Sequence, residues 1–168
     1  MPLNIDVVID GRIFKKFALF DGFVVKKMWR APLIFFAIMS ASAIICIILR
    51  GKSEQALLLA ALLFIIGAGL PAVYLYKFIN SINIQIKKLG LETPRKIYSL
   101  NFSEGSDGFS ASNIDGGPVF YKWADLFHVY RHKGCTYIYV NKNKAYIAPE
   151  NQSGAQPLAF YLPSSPQR

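Results

Sequence analysis

The chain has 168 residues, of which 53% are hydrophobic and 17% are charged, and Lys and Arg outnumber Asp and Glu by 19 to 10. A soluble domain averages about 25% charged residues, and a disordered chain has fewer apolar residues than such a domain, so the composition excludes both classes. A hydrophobic chain with a net charge of +9 is typical of a membrane protein that meets anionic lipid.

The N-terminal region, residues 1–31, predicts a strand followed by a basic helix. Leu3–Ile9 alternates between apolar and polar residues, and a turn signal follows it. From Arg12 to Arg30, a helical wheel separates a basic arc from an apolar arc, which is the pattern of a helix at a membrane surface. The apolar arc has two interpretations: it lies on lipid headgroups, or it packs on the protein's own folded domain.

Two uncharged runs follow, at residues 32–49 and 56–76. A helix needs roughly 17 to 25 apolar residues to cross a bilayer, and in hydrocarbon only a helix satisfies the backbone of such a run. The short connection between the runs predicts an antiparallel transmembrane hairpin, which we assign to residues 32–79. Neither run contains Asp, Glu, Lys, Arg or His, which argues against transport. Small residues favour close helix approach: Ala37, Ser40, Ala41, Ser42, Ala43, Ala60, Ala61, Gly67 and Gly69.

Basic residues flank the hairpin on the side of the two termini. The loop between the runs has only Arg50 and Lys52, partly offset by Glu54. The positive-inside rule therefore places both termini in the cytoplasm of a multi-pass protein of the inner cell membrane. The flanking cations are also the residues that we expect to set this topology and to contact anionic headgroups: Lys15, Lys16, Lys26, Lys27, Arg30, Lys77, Lys87 and Lys88.

Residues 80–150 predict a cytoplasmic β domain. The helix of the second span continues out of the membrane until Gly90, and short β runs separated by turn signals follow it. With the N-terminal strand, they predict a small antiparallel sheet or open barrel, and so a membrane α+β chain. The runs are Lys96–Ser103, Phe109–Ser112, Val119–Trp123, Asp125–His132, Cys135–Asn141 and Lys144–Ala148. The proline-rich tail, residues 151–168, is expected to be irregular.

A leading strand, a basic helix, a two-span hairpin and a β module with SDGFS, YKWADLFHVY and KAYIAPE resemble the YcxB-like family of small bacterial membrane proteins. That family has a Trp-x-Asp stretch after a glycine turn, here Trp123-Ala124-Asp125, and an Ile-Pro-like end, here Ile147-Ala148-Pro149. The resemblance implies a pleckstrin-homology-like (PH-like) module. The family usually closes this module with a helix, from which residues 151–168 depart. The resemblance implies no assigned chemistry.

The sequence contains few residues that indicate metal binding or catalysis. His128, His132 and Cys135 are metal-ligand types, but two residues four apart in a strand lie roughly 13 Å from each other, too far to share an ion. No catalytic or phosphate-binding motif is present, so we expect a non-enzymatic protein without metal or cofactor. The aromatic residues of the β runs are interpreted as core and cross-strand pairs. Because the cations gather near the bilayer, we expect no nucleic acid partner.

These features favour a membrane-anchored binding or regulatory protein whose PH-like domain acts at the inner membrane face, with membrane lipids as its first partner. The alternative is an accessory or immunity subunit of a larger membrane complex such as an exporter, with a membrane protein as its partner. An enzyme whose residues are dispersed along the chain is a third hypothesis.

Overall fold

The computed structural model describes residues 3–48, 55–103, 107–113 and 116–150. Within these ranges the chain forms three α-helices and seven strands, and every strand pairing is antiparallel. The α+β class is therefore confirmed. The elements are β1 (Leu3–Ile9), α1 (Gly11–Phe20), α2 (Arg30–Ile48), α3 (Gln55–Lys88), β2 (Arg95–Phe102), β3 (Gly108–Asn113), β4 (Pro118–Lys122), β5 (His128–His132), β6 (Cys135–Asn141) and β7 (Lys144–Pro149).

The chain divides into two compact units, which we call the β unit and the helical unit. The β unit joins residues 1–17 to residues 90–168, and the helical unit comprises residues 18–89. Strand β1 belongs to the β unit because it pairs along its length with β2. At the end of α3, Gly90 adopts a left-handed φ of 64°, the conformation that commonly terminates helices.

Four strands of the β unit form one sheet, in the order β1-β2-β3-β4. Its inner face is apolar: Ile5 pairs with Leu100, Leu100 pairs with Ala111, and all three side chains are buried. On the exposed face of the edge strand β1, Asp6 forms an ion pair of 2.8 Å with Lys96. A charged residue on an edge strand discourages pairing with another chain.

The other three strands form a second sheet, in the order β5-β6-β7. Its central strand, β6, has five consecutive buried residues, so both of its faces are covered. On one face, the Tyr146 ring lies 5.1 Å from the Tyr98 ring of the four-stranded sheet. On the other face, Phe17 of α1 lies 5.4 Å from Tyr137 and 6.3 Å from Tyr139, measured between ring centroids. At Phe17, therefore, the apolar arc of α1 packs on the protein's own domain.

Strand β7 crosses the four-stranded sheet rather than running along it. Lys144, at the start of β7, donates a hydrogen bond of 2.9 Å to the hydroxyl of Tyr121 on β4. Three residues later, the backbone of Ile147 exchanges two hydrogen bonds with the hydroxyl of Tyr98 on β2. Successive residues of β7 thus meet successive strands of the facing sheet, as in crossed packing of two sheets.

The helix predicted from Arg12 to Arg30 is interrupted. The Asp10 carboxylate caps its start, accepting a hydrogen bond of 2.7 Å from the backbone N–H of Ile13. Helix α1 ends at Phe20, and a π-helical turn follows at Asp21–Val25. A Cβ on Gly22 would lie 2.5 Å from the Phe78 ring. The turn can therefore pack this closely on Phe78 of α3 because residue 22 is a glycine.

The strand predicted from Asp125 is wrong at its start, because a 3-10 turn occupies Trp123–Asp125 and β5 begins only at His128. The backbone N–H of Trp123 donates to the carbonyl of Asp107 at 2.8 Å, and its indole stacks on Phe102. These contacts hold Trp123 in the turn.

The predicted strand Cys135–Asn141 is confirmed at both ends, since β6 has the same bounds. The predicted loop at residues 50–55 lies outside the described residues except for Gln55. The predicted tail at residues 151–168 lies outside them entirely.

Candidate functional site

The helical unit contains two helices that are long and apolar enough to cross a membrane, α2 and α3. Their large side chains point away from the unit: Ile38 is 59% exposed, Ile65 is 67% exposed and Leu58 is 74% exposed. A core helix of a soluble protein would bury such side chains, since burial stabilises each by about 1.5–3 kcal/mol. The outer surface of this helix pair therefore suits an apolar solvent.

The two helices approach each other through small residues, as predicted. Ala43 of α2 and Ala60 and Gly67 of α3 are buried. A Cβ on Gly67 would lie 2.7 Å from the Cβ of Met39, so the two helices approach closely at this glycine. Gly69 has nothing within 4 Å of a Cβ and does not contribute to the approach.

An apolar groove lies between α2 and α3 at the end of the pair where α2 begins. It encloses about 300 Å³. Because Ala31 and Tyr74 both line it, the first turn of α2 lies beside the turn of α3 that contains Tyr74. The phenol of Tyr74, which is 40% exposed, is the polar group among the lining side chains. The groove is lined by Ala31, Pro32, Phe35, Leu70, Pro71 and Tyr74.

Three of the predicted cations lie close along the chain to residues that line this groove. Arg30 directly precedes Ala31, and Lys77 follows Tyr74 by one helical turn. Lys27, with a left-handed φ of 51°, lies in the turn that leads into α2. Arg30, Lys77 and Lys27 are all exposed.

The remaining predicted cations are placed elsewhere. Lys26 forms an ion pair of 2.7 Å with Asp21, which offsets its charge. Lys87 and Lys88 lie in the last turn of α3, about 15 Å beyond Lys77 along the helix at 1.5 Å per residue. There they complement the negative end of the helix dipole. Lys15 and Lys16 lie on the part of α1 that belongs to the β unit.

A second groove, of about 400 Å³, lies toward the other end of the helix pair, between Ser40 and Ile47 of α2 and Leu57 and Phe64 of α3. Its lining is apolar except for Ser40. The Ser40 hydroxyl is buried and has no hydrogen-bond partner. A buried hydroxyl without a partner costs about 1–3 kcal/mol.

The β unit contains a cluster of two phenols and an ammonium group, which we call the tyrosine cluster. The Tyr121 and Tyr146 hydroxyls lie 3.2 Å apart, and Lys144 Nζ lies 5.3–5.4 Å from both ring centroids. The hydrogen bond from Lys144 lowers the pKa of Tyr121, whereas burial raises the pKa of Tyr146. The ammonium is exposed, so the cluster joins β4 to β7 at the surface.

Burial favours the neutral forms of three further groups of the β unit, Tyr98, Tyr137 and Cys135. Burial raises the pKa of Tyr98 far above its usual value and that of Tyr137 to about 12. Burial also raises the pKa of Cys135, a free thiol. In the described part of the chain, no three His, Cys, Asp or Glu side chains are grouped so that they could hold a metal ion.

The sequence missed the groove at the start of α2, because a groove depends on which turns of two helices lie side by side. The sequence signal that could have indicated it is Pro71 followed by Tyr74, which lies one helical turn before Lys77. The aromatic interpretation holds for Tyr137, Tyr139 and Tyr146, which are buried. It fails for Phe120, which is 55% exposed on the edge strand β4.

Comparisons of the chain with protein-family models, with curated proteins and with solved structures find no match.

Proposed function

We propose that this chain is a membrane-anchored, non-catalytic binding or regulatory protein of the YcxB-like type. In this proposal α2 and α3 cross the inner membrane as a hairpin, and the β unit acts as a PH-like domain at the cytoplasmic face. The observation that carries this proposal is the outward-facing apolar surface of both helices, because exposing such a surface to water is unfavourable.

The charge distribution supports the orientation. Arg30 and Lys77 lie at the end of the hairpin that continues into the β unit, at the start of α2 and beyond Tyr74 of α3. Basic residues at that end favour its retention in the cytoplasm, and each contributes about 1 kcal/mol of attraction to an anionic leaflet. Helix α3 has 34 residues and thus a length of about 51 Å, so its last turns would extend out of a hydrocarbon core of about 30 Å.

The architecture of the β unit supports a PH-like domain. It has one sheet of four strands and one of three, antiparallel throughout, and β7 crosses the larger sheet. An antiparallel β module completed by the N-terminal strand is what the resemblance to the YcxB-like family implies.

A cysteine-accessibility experiment tests the anchor and its orientation. The full chain carries Lys142→Cys, at an exposed turn of the β unit, with Cys46→Ala and Cys135→Ala. We expect the protein to remain with membranes at alkaline pH. We also expect a membrane-impermeant maleimide to label the new thiol only after the cells are opened. Labelling of intact cells, or release of the protein from the membrane, would contradict the proposal.

A charge variant tests the role of the cations. Replacing all six predicted cations of the helical unit by Gln should yield a mixed orientation and weaken binding of anionic lipid. The matched control replaces Lys122, Lys133 and Lys142 of the β unit by Gln and should change neither. The six are Lys26, Lys27, Arg30, Lys77, Lys87 and Lys88.

An accessory subunit of a larger membrane complex is the second candidate. The observation that favours it is the second groove, where the Ser40 hydroxyl is buried without a partner. Affinity capture from mild detergent distinguishes the two functions, since a stoichiometric membrane protein should accompany an accessory subunit.

A further inference from the structure

The groove at the start of α2 has an apolar lining that suits an acyl chain. Its volume of about 300 Å³ is bounded by Phe35 of α2 and by Leu70 and Pro71 of α3. It is open along one side, toward the surface that the proposed function places in lipid. Apolar side chains that line an open groove in a bilayer are covered either by another helix or by a lipid chain.

Two exposed cations flank lining residues of this groove along the chain. Arg30 is the first residue of α2, and Ala31, the next residue, lines the groove. Lys77 lies one turn beyond Tyr74, about 4.5 Å farther along α3 at 1.5 Å per residue. The positive end of the α2 dipole adds to the potential at the same place.

The polar and apolar parts follow one another in the order of a phospholipid. Along α3 from Lys77 come Tyr74, which is partly exposed, and then the apolar Pro71 and Leu70. Amphipathic aromatic rings favour the headgroup level of a bilayer. Basic pockets between membrane helices on the cytoplasmic side are a recurring form of lipid recognition.

We propose that this groove and its two cations bind one anionic phospholipid, with its phosphate between Arg30 and Lys77 and an acyl chain along the groove. This inference rests on the proposed function, because it requires the hairpin to lie in a bilayer. A zwitterionic lipid would bring a positive headgroup toward both cations, so the site selects a net negative headgroup. We expect a preference of roughly tenfold for the anionic lipid.

Trp29, next to Arg30 and 42% exposed, supplies the probe. The full chain with Trp123→Phe is reconstituted into phosphatidylcholine vesicles that contain a minor fraction of phosphatidylglycerol. In one preparation only the phosphatidylglycerol carries bromine on its acyl chains. In the other, an equal fraction of phosphatidylcholine does. We expect stronger quenching of Trp29 by the brominated phosphatidylglycerol.

Two charge variants separate a site from a general attraction. The double variant Arg30→Gln with Lys77→Gln should be quenched equally by the two brominated lipids, as expected for random lipid contact. Lys87→Gln with Lys88→Gln removes the same charge about 15 Å away along α3 and should preserve it. A third variant, Ala31→Phe, keeps both cations but fills the groove, and it should abolish the preference as well.

Native mass spectrometry of the chain with both tryptophans provides a second readout, because Trp123 stacks on Phe102 and its replacement can weaken the β unit. We expect one retained phosphatidylglycerol, which the Arg30 and Lys77 variant loses. Equal loss of preference in both charge variants would overturn the site but leave the proposed membrane function intact. No preference in the unmodified chain would also overturn the site. Failure of the chain to stay in vesicles at all would refute the proposed function itself.

Discussion

Replacing Tyr98 by Phe removes one hydroxyl that connects the two sheets of the β unit. This hydroxyl accepts a hydrogen bond of 2.6 Å from the backbone N–H of Ile147 and donates one of 2.9 Å to the Ile147 carbonyl. Tyr98 is 7% exposed, so water cannot replace either bond without rearrangement. A net contribution of about 1 kcal/mol per bond, increased by two backbone groups left unpaired, predicts a loss of about 2–4 kcal/mol in the free energy of unfolding.

Urea unfolding of the full chain in detergent, followed by near-ultraviolet circular dichroism, measures this loss, since that signal depends on packed aromatic rings. Tyr121→Phe is the matched control. It also removes the hydrogen bonds of one phenol, to Lys144 and Tyr146, but near the surface where water can compensate, so we expect a loss below about 1 kcal/mol. If Tyr98→Phe costs no more than Tyr121→Phe, the connection between the sheets does not depend on this hydroxyl.

Three further predictions concern packing and pH. Gly67→Ala should lower the thermal stability of the helical unit in detergent, because its Cβ would collide with Met39, whereas Gly69→Ala should leave it unchanged or raise it. Gly108→Ala should destabilise the β unit by about 1–3 kcal/mol in urea unfolding, because its Cβ would meet the facing β4 backbone; an unchanged midpoint would contradict this close approach. Burial raises the pKa of Tyr137 from 10.0 to about 12, so the folded chain keeps a proton that the unfolded chain releases. Stability should therefore be complete below pH 10 and decrease from pH 10 toward 12, and Tyr137→Phe should make that decrease shallower.

The strand positions were largely readable from the sequence, because local turn chemistry sets them. Lys133 and Gly134 both adopt positive φ, as a two-residue hairpin turn requires, and they separate β5 from β6. The Asn141 side chain accepts hydrogen bonds from the backbones of Asn143 and Lys144 and so fixes the turn before β7. Such interactions involve neighbours in the chain, and a pattern of residue types therefore predicts them.

The interruption after α1 was not readable in the same way. The basic and apolar arcs continue past Phe20, so periodicity extends the helix to Arg30. The chain nevertheless forms a π-helical turn where Gly22 meets the Phe78 ring, 56 residues away in sequence and adjacent in space. Periodicity describes one helix at a time and contains no information about the partner that it meets.

The candidate site shows the same division between local and tertiary information. Composition, the two uncharged runs and the flanking cations by themselves determined that the chain has two long apolar helices with basic residues at one end, because these properties are additive along the sequence. Only the tertiary structure decided that Ala31, next to Arg30, lines one groove with Tyr74, one turn before Lys77, while Lys26 pairs with Asp21. Which turns become neighbours depends on the register of α2 against α3, and Met39 and Gly67 are one point of close approach in that register.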